Sequence, residues 1–73
     1  SKREGTLLEL MLRNAGQTLP REVILNRVWG ADSDVENGNL DNYIHFLRRR
    51  LKSVKSTLNL KTVRGIGYRL EKI

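Results

Sequence analysis

At Leu58 the spacing of the apolar residues changes, and this constrains the fold more than any other feature of the chain. Up to Val54 apolar residues recur every three or four positions; from Leu58 they alternate as Leu58, Leu60, (Thr62), then Tyr68 and Leu70. The first spacing belongs to amphipathic helices, the second to strands with one buried face. Between the alternating runs stands "RGIG", residues 64–67. Gly65 and Gly67 suit a tight reversal, because glycine accepts positive φ where a side chain would clash. The chain therefore reads as helical for most of its length and as a β-hairpin at its end.

The helical part divides into three. "SKRE" at the start is a capping box, Ser1 and Glu4 each satisfying an amide of the other's turn. Leu7, Leu8, Met11, Leu12 and Ala15 form the apolar stripe of a first helix, which Gly5 weakens and Gly16 ends as a left-handed cap. Pro20 fits the first turn of a second helix, whose buried side is Val23, Ile24, Leu25, Val28 and Trp29 and whose stop is Gly30. "ADSDVENGN", residues 31–39, is an acidic polar loop. A third helix begins near Asn39. Leu40, Ile44, Leu47, Leu51 and Val54 fall within an arc of roughly 80° on it. Asn42, His45 and Arg49 point away from that arc, with Lys52 close by and Phe46 also on the outer side. Arg48 and Arg50 flank the stripe on its two sides.

Glycines beside cations can also build a phosphate-cradling loop, but such a loop follows a strand and opens a helix. Here "YRLEKI" follows, which is β-like. "RGIG" is thus a hairpin turn beside a projecting arginine, Arg64.

Composition narrows the chemistry. A chain of 73 residues is a single small domain. It has no cysteine and one histidine, His45, so no metal site and no cofactor is expected. No apolar run spans a bilayer, and the opening "SKREG" is no signal peptide; a cytoplasmic location is expected. No carboxylate pair or nucleophile–base pair suggests an enzyme. Charge is the positive clue. Residues 1–41 carry five Lys/Arg and seven Asp/Glu, a net of −2, whereas residues 42–73 carry nine Lys/Arg and only Glu71, a net of +8. A chain basic in one half presents a face to a polyanion. Nucleic acid is the expected partner rather than an anionic membrane, since no amphipathic anchor is present.

Helix, helix, loop, basic helix and a hairpin tipped by arginine is an α+β plan, that of a winged helix-turn-helix. The segments "REGTLLELMLRNAG", "PREVILNRVWG", "LDNYIHFLRRRLK" and "KTVRGIGYRL" resemble the DNA-binding effector domain of OmpR/PhoB-type two-component response regulators, in that family's order and spacing and over nearly the whole chain. The resemblance implies that residues 1–73 are a fragment of a longer regulator, and that a small sheet before the first helix and a receiver domain lie outside this chain. Two positions depart from the family pattern. Gly38 stands where an arginine is common, and Phe46 where a polar or basic residue is common.

On this plan the third helix lies in the major groove, which admits a helix. Asn39, Asn42, His45, Phe46 and Arg49 are the candidates for base edges: Asn for adenine, Arg for guanine, Phe for a thymine methyl. Phe46 could instead pack on a neighbouring element, and His45 suits a phosphate or water-bridged contact. Arg48, Arg50 and Lys52 suit phosphates. The resemblance adds Trp29, whose indole would touch a phosphate while its ring packs, and places Arg64 in the minor groove, whose narrow A/T-rich forms attract arginine. Thr62 and Tyr68 flank Arg64 as phosphate candidates, and Tyr43 divides between core and contact. Asp41 reads as complementing the helix dipole. By resemblance, loop 31–39 contacts RNA polymerase, and a dimer forms on DNA. The expected function is sequence-specific binding of double-stranded DNA for transcriptional control. The alternative is a winged helix that docks an acidic protein partner.

Overall fold

The computed structural model describes residues 2–30 and 37–72, with side chains from residue 39 in the second stretch. The elements are α1 (Lys2–Arg13), β1 (Thr18–Pro20), α2 (Arg21–Trp29), α3 (Asn37–Ser53), β2 (Leu58–Val63) and β3 (Gly67–Lys72). Three helices and the hairpin stand as expected. The proposed Ser1 cap lies outside the described residues, as does most of loop 31–39. The third helix starts earlier than the sequence suggests, at Asn37.

One element was not foreseen. β1 pairs antiparallel with β3 as Thr18↔Arg69, Leu19↔Tyr68 and Pro20↔Gly67, so the hairpin is part of a three-stranded sheet of order β1-β3-β2. Three residues with one apolar side chain show no alternation of their own. This strand exists because the outer edge of β3 offers it partners, a tertiary cause that local pattern does not carry. Pro20 sits at the end of β1 and is the N-cap of α2, one residue ahead of the helix.

Gly67 records the same contact, for a reason other than the expected one. Of the two glycines in this turn, Gly65 has positive φ, at +77°, and Gly67 does not. A Cβ on Gly67 would lie 1.9 Å from the Leu19 carbonyl oxygen. Gly67 therefore lets β1 approach β3, a known use of glycine within strands. Gly65 serves the turn itself, which is closed by the Ile66 amide donating to the Val63 carbonyl at 3.0 Å. Positive φ at the third of four turn residues is what a type II turn requires.

The core lies between the helices and one face of the sheet. Leu7 and Met11 of α1, Ile24 of α2, Leu40, Ile44 and Leu47 of α3, and Leu60, Tyr68 and Leu70 of the hairpin are all buried, together with Leu19. Burying an aliphatic side chain of this size contributes about 1.5–3 kcal/mol. The expected stripes are narrower in the structure. Leu12 and Val23 are 47 % and 38 % exposed, and Ala15 is also outside the core. Small domains have too few partners to cover both flanks of every stripe.

Val54 is also exposed, because α3 ends before it. The Ser56 amide donates to the Leu51 carbonyl at 2.9 Å and the Lys55 amide to Lys52 at 3.1 Å, with Lys55 at φ +54°. This is a Schellman ending, in which Lys55 takes the left-handed place usually given to glycine. Val54 is the last half-helical residue and turns outward.

Candidate nucleic-acid interface

The core stripe of α3 faces inward, which fixes where every other residue of that helix points. Asn39, Asn42, His45, Phe46 and Arg49 are exposed together. No side chain of Asn39, Asn42, His45 or Arg49 makes a hydrogen bond or ion pair among the described residues. This is an open polar and cationic face on a rigid helix. Phe46 does not pack on the core and is 48 % exposed, its ring 6.0 Å from that of His45.

The two flanks of α3 are occupied differently. On one, Arg50 lies 3.6 Å from Glu4 at the start of α1. The other faces the sheet. There Arg48 donates through Nε to the Leu60 carbonyl at 2.8 Å and through Nη2 to Thr62 Oγ1 at 2.6 Å. Thr62, expected at a phosphate, is thus the acceptor for an arginine expected at another. Both serve first to latch α3 to β2, and only the remaining donors of Arg48 are open to a ligand. One turn on, Lys52 has no ion-pair partner among the described residues and lies at the rim of a groove that it shares with Arg48, Lys55 and Ser56.

Because α3 begins at Asn37, Asp41 lies beyond its first turn, and the expected dipole role gives way to a side-chain network. Its carboxylate accepts from Arg21 Nη1 at 2.7 Å and from the Tyr68 hydroxyl. Arg21 also donates to the Tyr68 hydroxyl oxygen at 3.1 Å. The guanidiniums of Arg21 and Arg48 lie 5.8 and 5.9 Å from the Tyr68 ring centroid. Three elements meet here: the start of α2, the first turns of α3, and the central strand. The Arg21 and Tyr68 hydrogen bonds hold Asp41 below the ordinary carboxylate range. Burial first, then the bond to Asp41, pushes the Tyr68 phenol above its usual value. Tyr68 is 5 % exposed, and its hydroxyl is engaged in this network. Arg21 was not singled out from the sequence, since one arginine at a helix start carries no pattern.

Trp29 and Tyr43 are half-buried and meet edge to face at 5.3 Å, with the Arg3 guanidinium 5.6 Å from the indole centroid. Arg3 also donates to the Val28 carbonyl at 3.0 Å. Packing is thus observed for both aromatic rings. The indole N–H makes no hydrogen bond to a described residue.

At the far end of the hairpin Arg64 occupies the second turn position, exposed and without a hydrogen bond or ion pair among the described residues. Its direction is set from behind: the Arg21 amide at the start of α2 donates to the Ile66 carbonyl at 3.1 Å. No three His/Asp/Glu side chains among the described residues gather as a metal site.

An exposed helix face and an exposed arginine on a hairpin, both braced on one small core, define a winged helix-turn-helix of the kind found in DNA-binding regulators. The chain belongs to the family described as "Transcriptional regulatory protein, C terminal", which matches residues 1–70. It is 46 % identical over 68 residues to the response regulator ArlR of Staphylococcus haemolyticus, covering 93 % of this chain and 31 % of that protein. It is 37 % identical over 71 residues to the transcriptional regulatory protein DltR of Streptococcus agalactiae, covering 97 % of this chain and 32 % of that one. The chain thus spans about a third of the length of these relatives. Its fold matches the DNA-binding domain of Bacillus subtilis CssR with a TM-score of 0.82 at 33 % identity, over 96 % of this chain and 75 % of the other. It also matches the DNA-binding domain of the response regulator AdeR, solved in complex with an intercistronic region, with a TM-score of 0.84 at 25 % identity, over 99 % and 71 %.

Proposed function

We propose that this chain binds double-stranded DNA at particular sequences, as the output domain of a two-component response regulator. The observation that carries this reading is the pairing of two unsatisfied surfaces at a fixed separation. The outer face of α3 enters the major groove, where Asn39, Asn42, His45, Phe46 and Arg49 meet base edges. Arg64 enters the adjacent minor groove. Lys52, Arg50, the spare donors of Arg48, and the indole N–H of Trp29 hold phosphates. The likeness to AdeR, whose domain was solved with DNA, supports the same mode of docking. The relatives are about three times as long, which fits a receiver domain elsewhere in the protein; dimerisation on DNA and a contact of residues 31–39 with RNA polymerase belong to the same proposal. Such a regulator works in the cytoplasm; among the described residues no helix is long and apolar enough to cross a membrane.

A salt titration of binding to duplexes selected from a random pool tests the reading. Contacts to several phosphates make log affinity fall steeply and linearly with log salt. A module built to dock an acidic protein would select no duplex and show little affinity for any.

A further inference from the structure

We propose that Phe46 reads the 5-methyl group of a thymine in the major groove, beside the base that Asn42 addresses; this rests on the DNA reading above. Phe46 puts a phenyl ring on a helix face that is otherwise polar and charged. Phe46 is 48 % exposed and lies outside the core cluster. It stands as a ridge between two shallow hollows. One, of about 510 Å³, is lined by Glu4, Asn39, Asn42 and Tyr43 besides Phe46. The other, of about 330 Å³, is lined by Glu4, Arg49, Arg50 and Ser53 with Phe46 again. A lone ring framed by Arg49, two amides and the Glu4–Arg50 ion pair is too small and too polar for an apolar protein-docking patch, which covers hundreds of Å². Those surroundings suit a polyanion that carries isolated apolar groups. The major groove of an A·T pair is such a surface, with the thymine methyl as its one apolar group and adenine N6 and N7 as its donor and acceptor. Asn42 is four residues before Phe46 and so stands beside it on the helix. A carboxamide and a phenyl ring thus reach neighbouring parts of the groove, one able to pair with adenine and the other to cover a methyl. The His45 ring, 6.0 Å from that of Phe46 and tilted by 55°, restricts where the phenyl can swing.

The test replaces each thymine in turn by deoxyuridine, in duplexes that this chain selects from a random pool. Deoxyuridine removes one methyl and keeps every hydrogen-bonding group. At one thymine per bound chain the affinity should fall about fourfold, the value of one buried methyl. Phe46→Ala should bind the thymine and uracil duplexes equally, and Phe46→Leu should keep part of the difference. Full methyl sensitivity in Phe46→Ala, or none at any thymine in the unaltered chain, overturns the proposal and leaves the DNA reading standing. Failure of Phe46→Ala to fold, seen by circular dichroism, also overturns it, because the ring would then be a structural one. Absence of affinity for any duplex overturns the DNA reading and this inference with it.

Discussion

The hydroxyl of Tyr68 on β3 donates to the carboxylate of Asp41 on α3, so the hairpin and the third helix share a side-chain bond. With Arg21 on the same carboxylate, the bond sets how far the hairpin stands from the outer face of α3. No described buried side-chain nitrogen or oxygen is left without a partner. Tyr68→Phe removes the donor and keeps the ring. It should lower stability by about 1 kcal/mol, the ordinary value of a hydrogen bond. Urea melts would show a lower midpoint at unchanged slope. An unchanged midpoint would mean that the bond fixes geometry without adding stability.

Asp41 gives this network a pH dependence whose sign follows from its depressed pKa. Its contribution is complete above the ordinary carboxylate pKa and is lost as pH falls towards the lower folded value. Asp41→Asn should therefore be less stable than the unaltered chain at neutral pH, and the gap should close on acidification. The carboxylate is 55 % exposed, so solvent screening keeps the difference small. Urea midpoints of the two chains at pH 7 and pH 3 measure it. A gap that widens at low pH would contradict the assignment.

The two glycines of the turn should respond differently to alanine. At Gly67 the new Cβ meets the Leu19 carbonyl, which cannot yield without separating β1 from β3. At Gly65 it meets open space and carries only the strain of φ +77°. Gly65→Ala should cost about 1–2 kcal/mol, and Gly67→Ala more. Thermal melts showing equal losses would mean that β1 is readily displaced.

Much of this architecture was legible from periodicity. Leu40, Ile44 and Leu47 are buried because they share one side of a helix, and the same spacing turned Asn42, His45 and Arg49 outward. Leu60, Tyr68 and Leu70 followed in the same way from alternation. What was illegible depends on partners distant in sequence. β1 exists through β3, and Gly67 within an alternating run was the one local hint of it. Arg48 and Tyr68 lie where a DNA contact is reasonable, and only the fold reveals Thr62, Leu60 and Asp41 as their acceptors. The expected start near Asn39 put Asp41 in a first turn, where an acid suits the dipole, and that hid its bonds to Arg21 and Tyr68.

Arg48 and Lys52 separate latching from phosphate binding. Lys52→Ala should leave stability unchanged and lower the salt slope of DNA binding by about 1. Arg48→Ala should lower the urea midpoint as well, since two hydrogen bonds to β2 are lost, at about 1 kcal/mol each before relaxation. Equal stability of the two variants would mean that Arg48 is free for phosphate.

The central claim is that α3 and the wing read two grooves at once, and Arg64 tests it most directly. The measurement is affinity for paired duplexes that share a core site and differ only in an A/T-rich or G/C-rich flank under the wing, taken with the unaltered chain and with Arg64→Ala. Because the Ile66 carbonyl is tied to the start of α2, the wing tip keeps its distance from α3 in both chains. The expected result is a larger loss on the A/T-rich flank, where a narrow minor groove concentrates negative potential on the guanidinium. Equal losses on both flanks would contradict the claim and make the wing a phosphate clamp that reads no groove.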